Sequence, residues 1–332
     1  MSSRWRRVKD SKANLVLFVV GIFLIVLSGF WRYTIAPAIR VVPTDIDLVR
    51  FYDGHLSTYL TPPGQPPVNP SPKTYNVTIQ AKENNPVRRS TTGVAVIELQ
   101  TSVINSADNQ RLATDDSLFA VNRRSAQQVG DHGANKDRSG YYLVFPFDTP
   151  KANIPIWDPL TGKTQNGVYL GQRKVGGVNT YRFKVSYAGQ PAVAPPGFPT
   201  EMTGAQLKSM LGDPALGVGD GDAIKVEYKA NQNINYLIEP IAGNLVVTRD
   251  AVDSIYLSAS DPARSFSVTQ VVSKFDYKEL ASSQQEAATF ASDEIKKISL
   301  QFLYLPAGYL LLGIFCTLVG FFTAEKSYTR SV

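Results

Sequence analysis

The sequence is poor in cysteine: Cys316 is the only one, and it lies inside an apolar run near the C-terminus. One cysteine cannot form a disulfide within the chain, so a folded domain of this protein must rely on its own core. Secreted eukaryotic proteins of this size usually carry disulfides. The composition therefore favours a bacterial cell envelope.

Histidine is almost as rare, since only His55 and His132 occur. His132 lies in the polar stretch of residues 131–137, which lacks the ligand spacing of a metal site. The Asp220-Gly221-Asp222 turn resembles part of a calcium loop but lacks the other oxygen ligands. Gly-x-Ser-x-Gly, Walker and HExxH motifs are absent as well. We therefore predict no catalytic residue, no metal and no cofactor, and we expect that the protein is not an enzyme.

Charged residues are missing from two long stretches, residues 13–31 and 299–324. The first stretch has nineteen residues, and a helix of that length spans about 28 Å, close to the hydrocarbon thickness of a bilayer. Inside lipid, a helix satisfies all of the backbone hydrogen bonds of such a run. We predict membrane-spanning helices at residues 13–35 and 299–324.

Basic residues near the first span predict its orientation. Residues 1–12 contain five basic residues and one acidic residue, whereas the turns just after the span contain only Arg32 and Arg40. The N-terminus should therefore be cytoplasmic, and the second span returns the C-terminus to the same side. We expect a two-pass protein of the plasma membrane, with cytoplasmic tails at residues 1–12 and 325–332 and an extracytoplasmic domain at residues 36–281.

The net charge of +6 lies mostly in the two tails. The basic balance therefore indicates contact with anionic lipid heads, and we predict no nucleic-acid partner.

A cleaved signal peptide is the alternative for the first segment, because Ala36-Pro37-Ala38 loosely resembles a cleavage site. Against cleavage, the apolar run is longer than the usual stretch of about 7–15 residues, and Pro37 is unfavourable beside a cleaved bond. We favour retention of the helix. Cleavage would leave a single-span protein with the same outer domain.

The region between the spans alternates apolar and polar residues at period two, which predicts half-buried strands. The pattern is clearest at residues 75–79, 181–187 and 224–228, and further strands are expected, among them 94–104 and 141–147. A capping-box pattern from Thr203 to Gln206 predicts a short helix. Residues 282–298 contain no proline or glycine and predict a juxtamembrane helix that continues into the second span. The predicted fold class is α+β, a mostly β extracytoplasmic domain between two transmembrane α-helices.

One part of the outer domain is dense in aromatic residues that could line a lipid pocket, although strand core is the more common role for such a cluster. These residues are Tyr141, Tyr142, Phe145, Phe147 and Trp157. In the second span, Gly313, Cys316 and Gly320 are small and spaced by three and four residues. This spacing permits close helix packing against the first span or against another copy of the chain.

Several motifs resemble those of a known family. They are Phe145-Pro146-Phe147-Asp148-Thr149, Trp157-Asp158-Pro159, Tyr169-Leu170-Gly171, the run of residues 176–183, and Ile238-Glu239-Pro240-Ile241-Ala242-Gly243. Together with the two terminal spans, they resemble the actinobacterial PorA family of membrane proteins, whose main domain has no established activity. The resemblance covers nearly the whole chain and implies an actinobacterial cell envelope.

The porin label of that family finds no support in these residues. Two helical spans cannot form a pore alone, and the strands lack the lipid-facing apolar band of an outer-membrane barrel. The layout also resembles the CD36 class, in which a β-rich domain between two terminal spans encloses a lipid tunnel, but layout alone says little about function.

We predict a cell-envelope membrane protein whose outer domain binds or passes a hydrophobic envelope component. The alternative is a structural or accessory subunit that docks another envelope protein complex. The expected partners are membrane lipids, together with an envelope protein or further copies of the same chain.

Overall fold

The chain folds into two compact units, which are described separately. The computed structural model describes residues 2–68, 71–85, 89–130, 132–134, 138–243, 246–261 and 266–329. The helical unit consists of Met1–Val41 and Asp293–Val332, and the β unit consists of Val42–Ser292.

The helices, in chain order, are α1 (Ser2–Phe30), α2 (Ala36–Ile39), α3 (Gly204–Leu211), α4 (Ala281–Ser299) and α5 (Leu305–Thr329). A π-helical turn (Trp31–Ile35) joins α1 to α2, and a second one (Leu300–Tyr304) joins α4 to α5. The segments Lys12–Ile39 and Ala281–Phe322 are long and apolar enough to cross a membrane. Their large apolar side chains are exposed, for example Phe23 at 61% and Leu311 at 69%, which suits lipid as the surrounding solvent.

Each π-helical turn ends two residues before a proline, and the missing proline N–H accounts for the second turn. Pro306 cannot donate to the carbonyl of Phe302, four residues earlier, and the Arg32 Nη1 donates to that carbonyl at 2.6 Å instead. The Ser28 Oγ donates to the carbonyl of Pro306 at 2.7 Å. The Arg32 side chain of the first segment thus satisfies the one backbone carbonyl of the second segment that Pro306 leaves without its usual donor.

In the described part of the chain, the β unit is built around a sheet of eleven antiparallel strands. The strands are β1 (Asp47–Thr58), β2 (Lys73–Asn84), β3 (Val94–Asn105), β4 (Arg111–Asn122), β5 (Ile154–Asp158), β6 (Lys163–Val175), β7 (Val178–Pro191), β8 (Glu201–Thr203), β9 (Ala223–Ile238), β10 (Val246–Asp261) and β11 (Phe266–Glu279). Their order in the sheet is β4-β3-β2-β1-β11-β10-β9-β7-β6-β5, and the short β8 pairs with the start of β9. The sheet curls into a half-barrel. Together with the long apolar helices at the two ends of the chain, this mostly β unit confirms the predicted α+β fold class.

Among the described residues, two clusters of buried side chains contribute to the core of the β unit. One joins β5, β7, β9 and β10 and includes Phe145, Phe183 and Ile238. The other packs α3 and β8 against the ends of β9, β10 and β11 and includes Leu207 and Leu257. The predicted capping box at the start of α3 is confirmed, because Thr203 and Gln206 each accept a hydrogen bond from the backbone N–H of the other.

A buried ion triad joins three neighbouring strands at the centre of the sheet. The Arg50 Nε lies 3.1 Å from the Glu83 Oε1, and the Arg50 Nη1 lies 3.1 Å from the Glu279 Oε1. The relative exposures of these residues are 3% for Arg50, 8% for Glu83 and 2% for Glu279. Burial alone lowers the pKa of Arg50, but the two carboxylates outweigh burial and raise it. The two carboxylates therefore stabilise the charged form of the buried Arg50 guanidinium.

The predicted strands at residues 75–79, 94–104, 181–187 and 224–228 are confirmed within β2, β3, β7 and β9. The strand predicted at residues 141–147 is wrong. That segment bends, and only Tyr141 pairs with a strand, in a parallel bridge to Ile156.

Candidate functional site

The two edge strands of the curled sheet, β4 and β5, are bridged by described residues of the chain that connects them, and we call this join the seam. Val121 of β4 pairs with Gln128, and Tyr141 pairs with Ile156 of β5. The Tyr141 N–H donates to the carbonyl of Pro155 at 2.9 Å, and the Trp157 N–H donates to the carbonyl of Tyr141 at 2.8 Å. Gln128 and Tyr141, which lie between the two edge strands in the chain, therefore pair with one edge strand each.

A cavity of about 560 Å³ lies at this seam. Its lining comes from strands β3, β4 and β5, from the turn after β5, from the chain between β4 and β5, and from the segment after β7: Leu99, Asp115, Ser117, Phe119, Arg138, Tyr142, Trp157, Pro159, Gly162 and Val193. The volume falls in the range of small-molecule sites, about 300–1,000 Å³. We call it the seam cavity.

Aromatic rings form one wall of the seam cavity. Phe119 is 4% exposed and stacks on Tyr142 at a centroid distance of 5.2 Å. The Arg138 guanidinium lies over the Phe119 ring, with its Cζ 3.9 Å from the centroid of that ring. Because Phe119 belongs to β4 and Tyr142 precedes β5, this stack connects the two edges.

Among the described residues that line the seam cavity, the charged ones are Arg138 and Asp115. The Arg138 Nη1 donates to the carbonyl of Leu118 at 2.8 Å, and burial lowers the pKa of Arg138 against the opposing effects of Tyr142 and Asp115. Asp115 is exposed and accepts a hydrogen bond from the Ser117 Oγ at 2.8 Å. No carboxylate among the described residues forms an ion pair with Arg138.

A hydrogen-bonded turn forms another part of the cavity wall. The buried Asp158 carboxylate accepts hydrogen bonds from the N–H groups of Leu160 and Thr161, from the Thr161 hydroxyl at 2.6 Å and from the Tyr187 hydroxyl at 2.7 Å. Burial and the hydrogen bond to Asp158 raise the pKa of Tyr187. This network fixes the turn that carries Pro159 and Gly162.

The structure divides the five aromatic residues that sequence reasoning singled out. Tyr142 and Trp157 line the seam cavity, whereas Phe145 is fully buried in the core and Tyr141 packs against the same cluster. Phe147 is half-buried outside the cavity lining. Sequence reasoning missed Leu99, Phe119 and Arg138. The apolar run of residues 118–121 could have predicted a strand that contains Phe119. Two aspartates precede this run and interrupt the strand pattern.

Two polar grooves lie on the exposed face of the sheet. The larger has a volume of about 600 Å³ and is lined by Asp53, His55, Asp276 and Lys278, among others. The second has a volume of about 480 Å³ and shares Asn76 and Ser106 with the first. Both grooves lack a wall of large apolar side chains.

Among the described residues, no group of three or more His, Cys, Asp or Glu side chains could hold a metal ion. His132 is exposed, and its neighbours Asp131 and residues 135–137 lie outside the described residues. Asp220 pairs with Lys208 at 2.9 Å, and Asp222 accepts a hydrogen bond from the backbone of Gly219.

The small residues of the second span lie beside α1 within the helical unit. A Cβ on Gly313 would lie 2.7 Å from the carbonyl oxygen of Gly21, and one on Gly320 would lie 2.7 Å from the backbone nitrogen of Phe18. Cys316 is half-buried. Glycine therefore sets the closeness of α1 and α5 at these two positions.

Two of the family-like motifs meet in space. Glu239 is 1% exposed, and its carboxylate accepts hydrogen bonds from the N–H groups of Ile241 and Ala242 at 2.8 and 2.6 Å. The Thr149 N–H donates to the carbonyl of Pro240 at 3.0 Å. Gly243 has a φ of +66°, and a Cβ there would collide with the backbone of Pro146. These motifs therefore hold a turn together.

Residues 13–322 match the sequence pattern of the family described as Porin PorA. The chain belongs to the PorA family. This membership and the two apolar helical segments identify it as a membrane protein, and PorA membership favours a role other than catalysis. No curated protein matches the chain. The likeness in layout to the CD36 class stays a prediction.

Proposed function

We propose that this PorA-family protein binds or passes a hydrophobic component of the cell envelope in its seam cavity. The observation that carries the proposal is the aromatic wall made by Phe119, Tyr142 and Trp157 around a cavity of about 560 Å³. A cavity with this kind of lining favours an apolar guest, because each buried methylene contributes about 0.8 kcal/mol. A chain segment of eight methylenes would contribute about 6 kcal/mol before the costs of association.

The topology that we propose follows the charge pattern of the sequence. Both termini lie in the cytoplasm, α1 and α5 cross the plasma membrane, and the β unit lies outside. The chain offers a direct test, because replacing Cys316 with serine removes its only thiol. A single cysteine introduced at Ser57 should then react with an impermeant maleimide on intact cells, and one introduced at Ser2 should react only after lysis. Labelling of Ser2→Cys on intact cells would overturn this orientation.

Retention of the first helix is part of the same proposal. Intact-mass measurement of the mature protein should give the mass of the whole chain. A mass that lacks about 38 residues would mean cleavage near Ala38, as expected of a signal peptide.

Native mass spectrometry of the full chain in an amphipol tests lipid binding. We expect a bound lipid in the wild type and its loss in Trp157→Ala. Phe198→Ala is the matched control, because Phe198 packs edge-on against Tyr228 in the other core cluster and lies outside the seam cavity lining. A wild-type protein that is reproducibly free of lipid would refute the proposal, as would equal lipid loss in the two variants.

The alternative function, docking of another envelope protein, is supported by the larger polar groove on β1, β2 and β11. Co-purification after mild detergent extraction separates the two functions. A stoichiometric protein partner that is lost in His55→Ala but kept in Trp157→Ala would favour docking.

The porin description of the family points to a third outcome. Two helices enclose no lumen, so a pore would require several copies of the helical unit. Single-channel conductance of the purified chain in planar bilayers, together with a homo-oligomer of defined size, would favour a pore over lipid binding.

A further inference from the structure

Two charged side chains of opposite sign line the seam cavity without pairing with each other. Arg138 is half-buried against the aromatic wall, and Asp115 is exposed on the same lining. Both side chains line the same cavity, although they form no ion pair with each other. The cavity therefore contains separate positive and negative points beside an apolar wall.

Within the described part of the chain, Arg138 has further donors that a guest could use. A guanidinium has five N–H groups, and the Nη1 of Arg138 donates to the carbonyl of Leu118. None of the other described residues accepts a hydrogen bond from its side chain. The Arg138 Cζ lies 3.9 Å from the centroid of the Phe119 ring, and the planar fork of a guanidinium matches the oxygens of a phosphate.

Asp115 provides the negative charge that complements Arg138 in the cavity lining. One oxygen of its carboxylate accepts a hydrogen bond from the Ser117 Oγ, and a carboxylate has acceptor sites for further donors. A guest with only a negative group would face repulsion from this carboxylate. A guest with only a positive group would face repulsion from Arg138.

We propose that the seam cavity takes a zwitterionic amphiphile, with its phosphate on Arg138, its ammonium group beside Asp115 and its apolar chain against Tyr142 and Trp157. This inference rests on the proposed function, since it names the chemical class of the lipid that the cavity holds.

The test compares four probes with the same dodecyl chain and different heads: dodecylphosphocholine, dodecyl phosphate, dodecyltrimethylammonium and dodecyl maltoside. Each is added below its micellar concentration to the full chain in an amphipol. Trp5→Phe and Trp31→Phe leave Trp157 as the only tryptophan of the chain, so its fluorescence reports on the cavity. We expect dodecylphosphocholine to bind at least about tenfold more tightly than the other three, a difference of about 1.4 kcal/mol.

Two charge-removing variants should change the preference in opposite directions. Arg138→Gln should weaken dodecylphosphocholine and dodecyl phosphate by about tenfold and strengthen dodecyltrimethylammonium. Asp115→Asn should strengthen dodecyl phosphate and weaken dodecyltrimethylammonium by a few fold, since Asp115 is exposed and its charge is screened. Arg138→Lys, which keeps the charge but loses the fork, should fall between the wild type and Arg138→Gln.

The failures of the two proposals are distinguishable. If none of the four probes binds, the proposed function itself is wrong. If all four bind with equal affinity, or if the variants leave the order of the heads unchanged, the cavity is a lipid site without head selection and the inference is overturned. The Asp115→Asn arm keeps the test decisive even if Arg138→Gln fails to fold.

Discussion

Replacing Arg50 with methionine should destabilise the β unit by about 3–5 kcal/mol, because the change leaves two carboxylates buried without their cation. The guanidinium lies 3.1 Å from an oxygen of Glu83 and 3.1 Å from an oxygen of Glu279, and all three side chains are almost fully buried. For a unit of this size, the loss corresponds to a decrease of about 6–20 °C in the unfolding temperature.

The assay is urea unfolding of the full chain in an amphipol, followed by the fluorescence of Trp157 in the Trp5→Phe and Trp31→Phe background. The matched control is Lys208→Met. It also breaks an ion pair, but the partner Asp220 is exposed, and the expected loss is below about 1 kcal/mol.

Replacing the whole triad with apolar residues separates lost pairing from lost volume. Arg50→Met combined with Glu83→Met and Glu279→Leu should recover most of the stability, because no buried charge then remains unpaired. If Arg50→Met costs no more than Lys208→Met, the triad does not hold these three strands together. If the triple variant is as unstable as Arg50→Met alone, the cost lies in packing and not in the unpaired carboxylates.

Three further predictions concern other parts of the molecule. The folded state keeps the proton of Tyr187 above pH 10, where the unfolded state loses it, so stability should fall as the pH rises beyond about 10. In urea titrations, Tyr187→Phe should reduce the slope of stability against pH by less than about 1.4 kcal/mol per pH unit, since one proton is involved and the hydroxyl is only half-buried; an unchanged slope would contradict this. Gly313→Leu should force α1 and α5 apart and lower thermal stability in detergent, whereas Gly308→Leu, with no atom within 4 Å of the added Cβ, should not; equal effects would show that the helices do not depend on this contact. Thr203→Ala removes the cap of α3 and should cost about 1 kcal/mol in urea unfolding, and a loss below about 0.3 kcal/mol would show that the cap is dispensable.

The strands that the sequence predicts are those with a plain alternation, such as residues 181–187. The alternation in the sequence does not predict β1 and β4, because the inward faces of these two strands contain polar residues. Arg50 points toward the core between Leu48 and Tyr52, so the apolar set of β1 is interrupted by a charge whose partners are distant in sequence. Period-two reasoning counts such a residue as solvent-exposed, and only the pairing of β1 with β2 and β11 shows that its charge is neutralised.

The cavity was only partly predictable for a similar reason. The density of aromatic residues around position 141 was visible, but the division into core and cavity depends on where the chain bends. Tyr141 and Tyr142 are neighbours, yet one packs on the core and the other stacks on Phe119. That stacking could be predicted only if β4 were predicted, because Phe119 lies on β4. The polar pair Asp115 and Asp116 interrupts the apolar pattern by which this strand would be recognised.

The seam also bears on how the protein avoids associating strand to strand. A sheet that stops short of a closed barrel has two edges, and each edge offers unpaired backbone groups to a strand of another molecule. Here the chain between β4 and β5 covers part of both edges, through the pairing of Gln128 with Val121 and of Tyr141 with Ile156. Arg138 adds to this protection by donating to the carbonyl of Leu118 on β4. A substitution that loosens this segment would therefore expose both edges of the sheet at once, and aggregation would accompany the loss of the cavity.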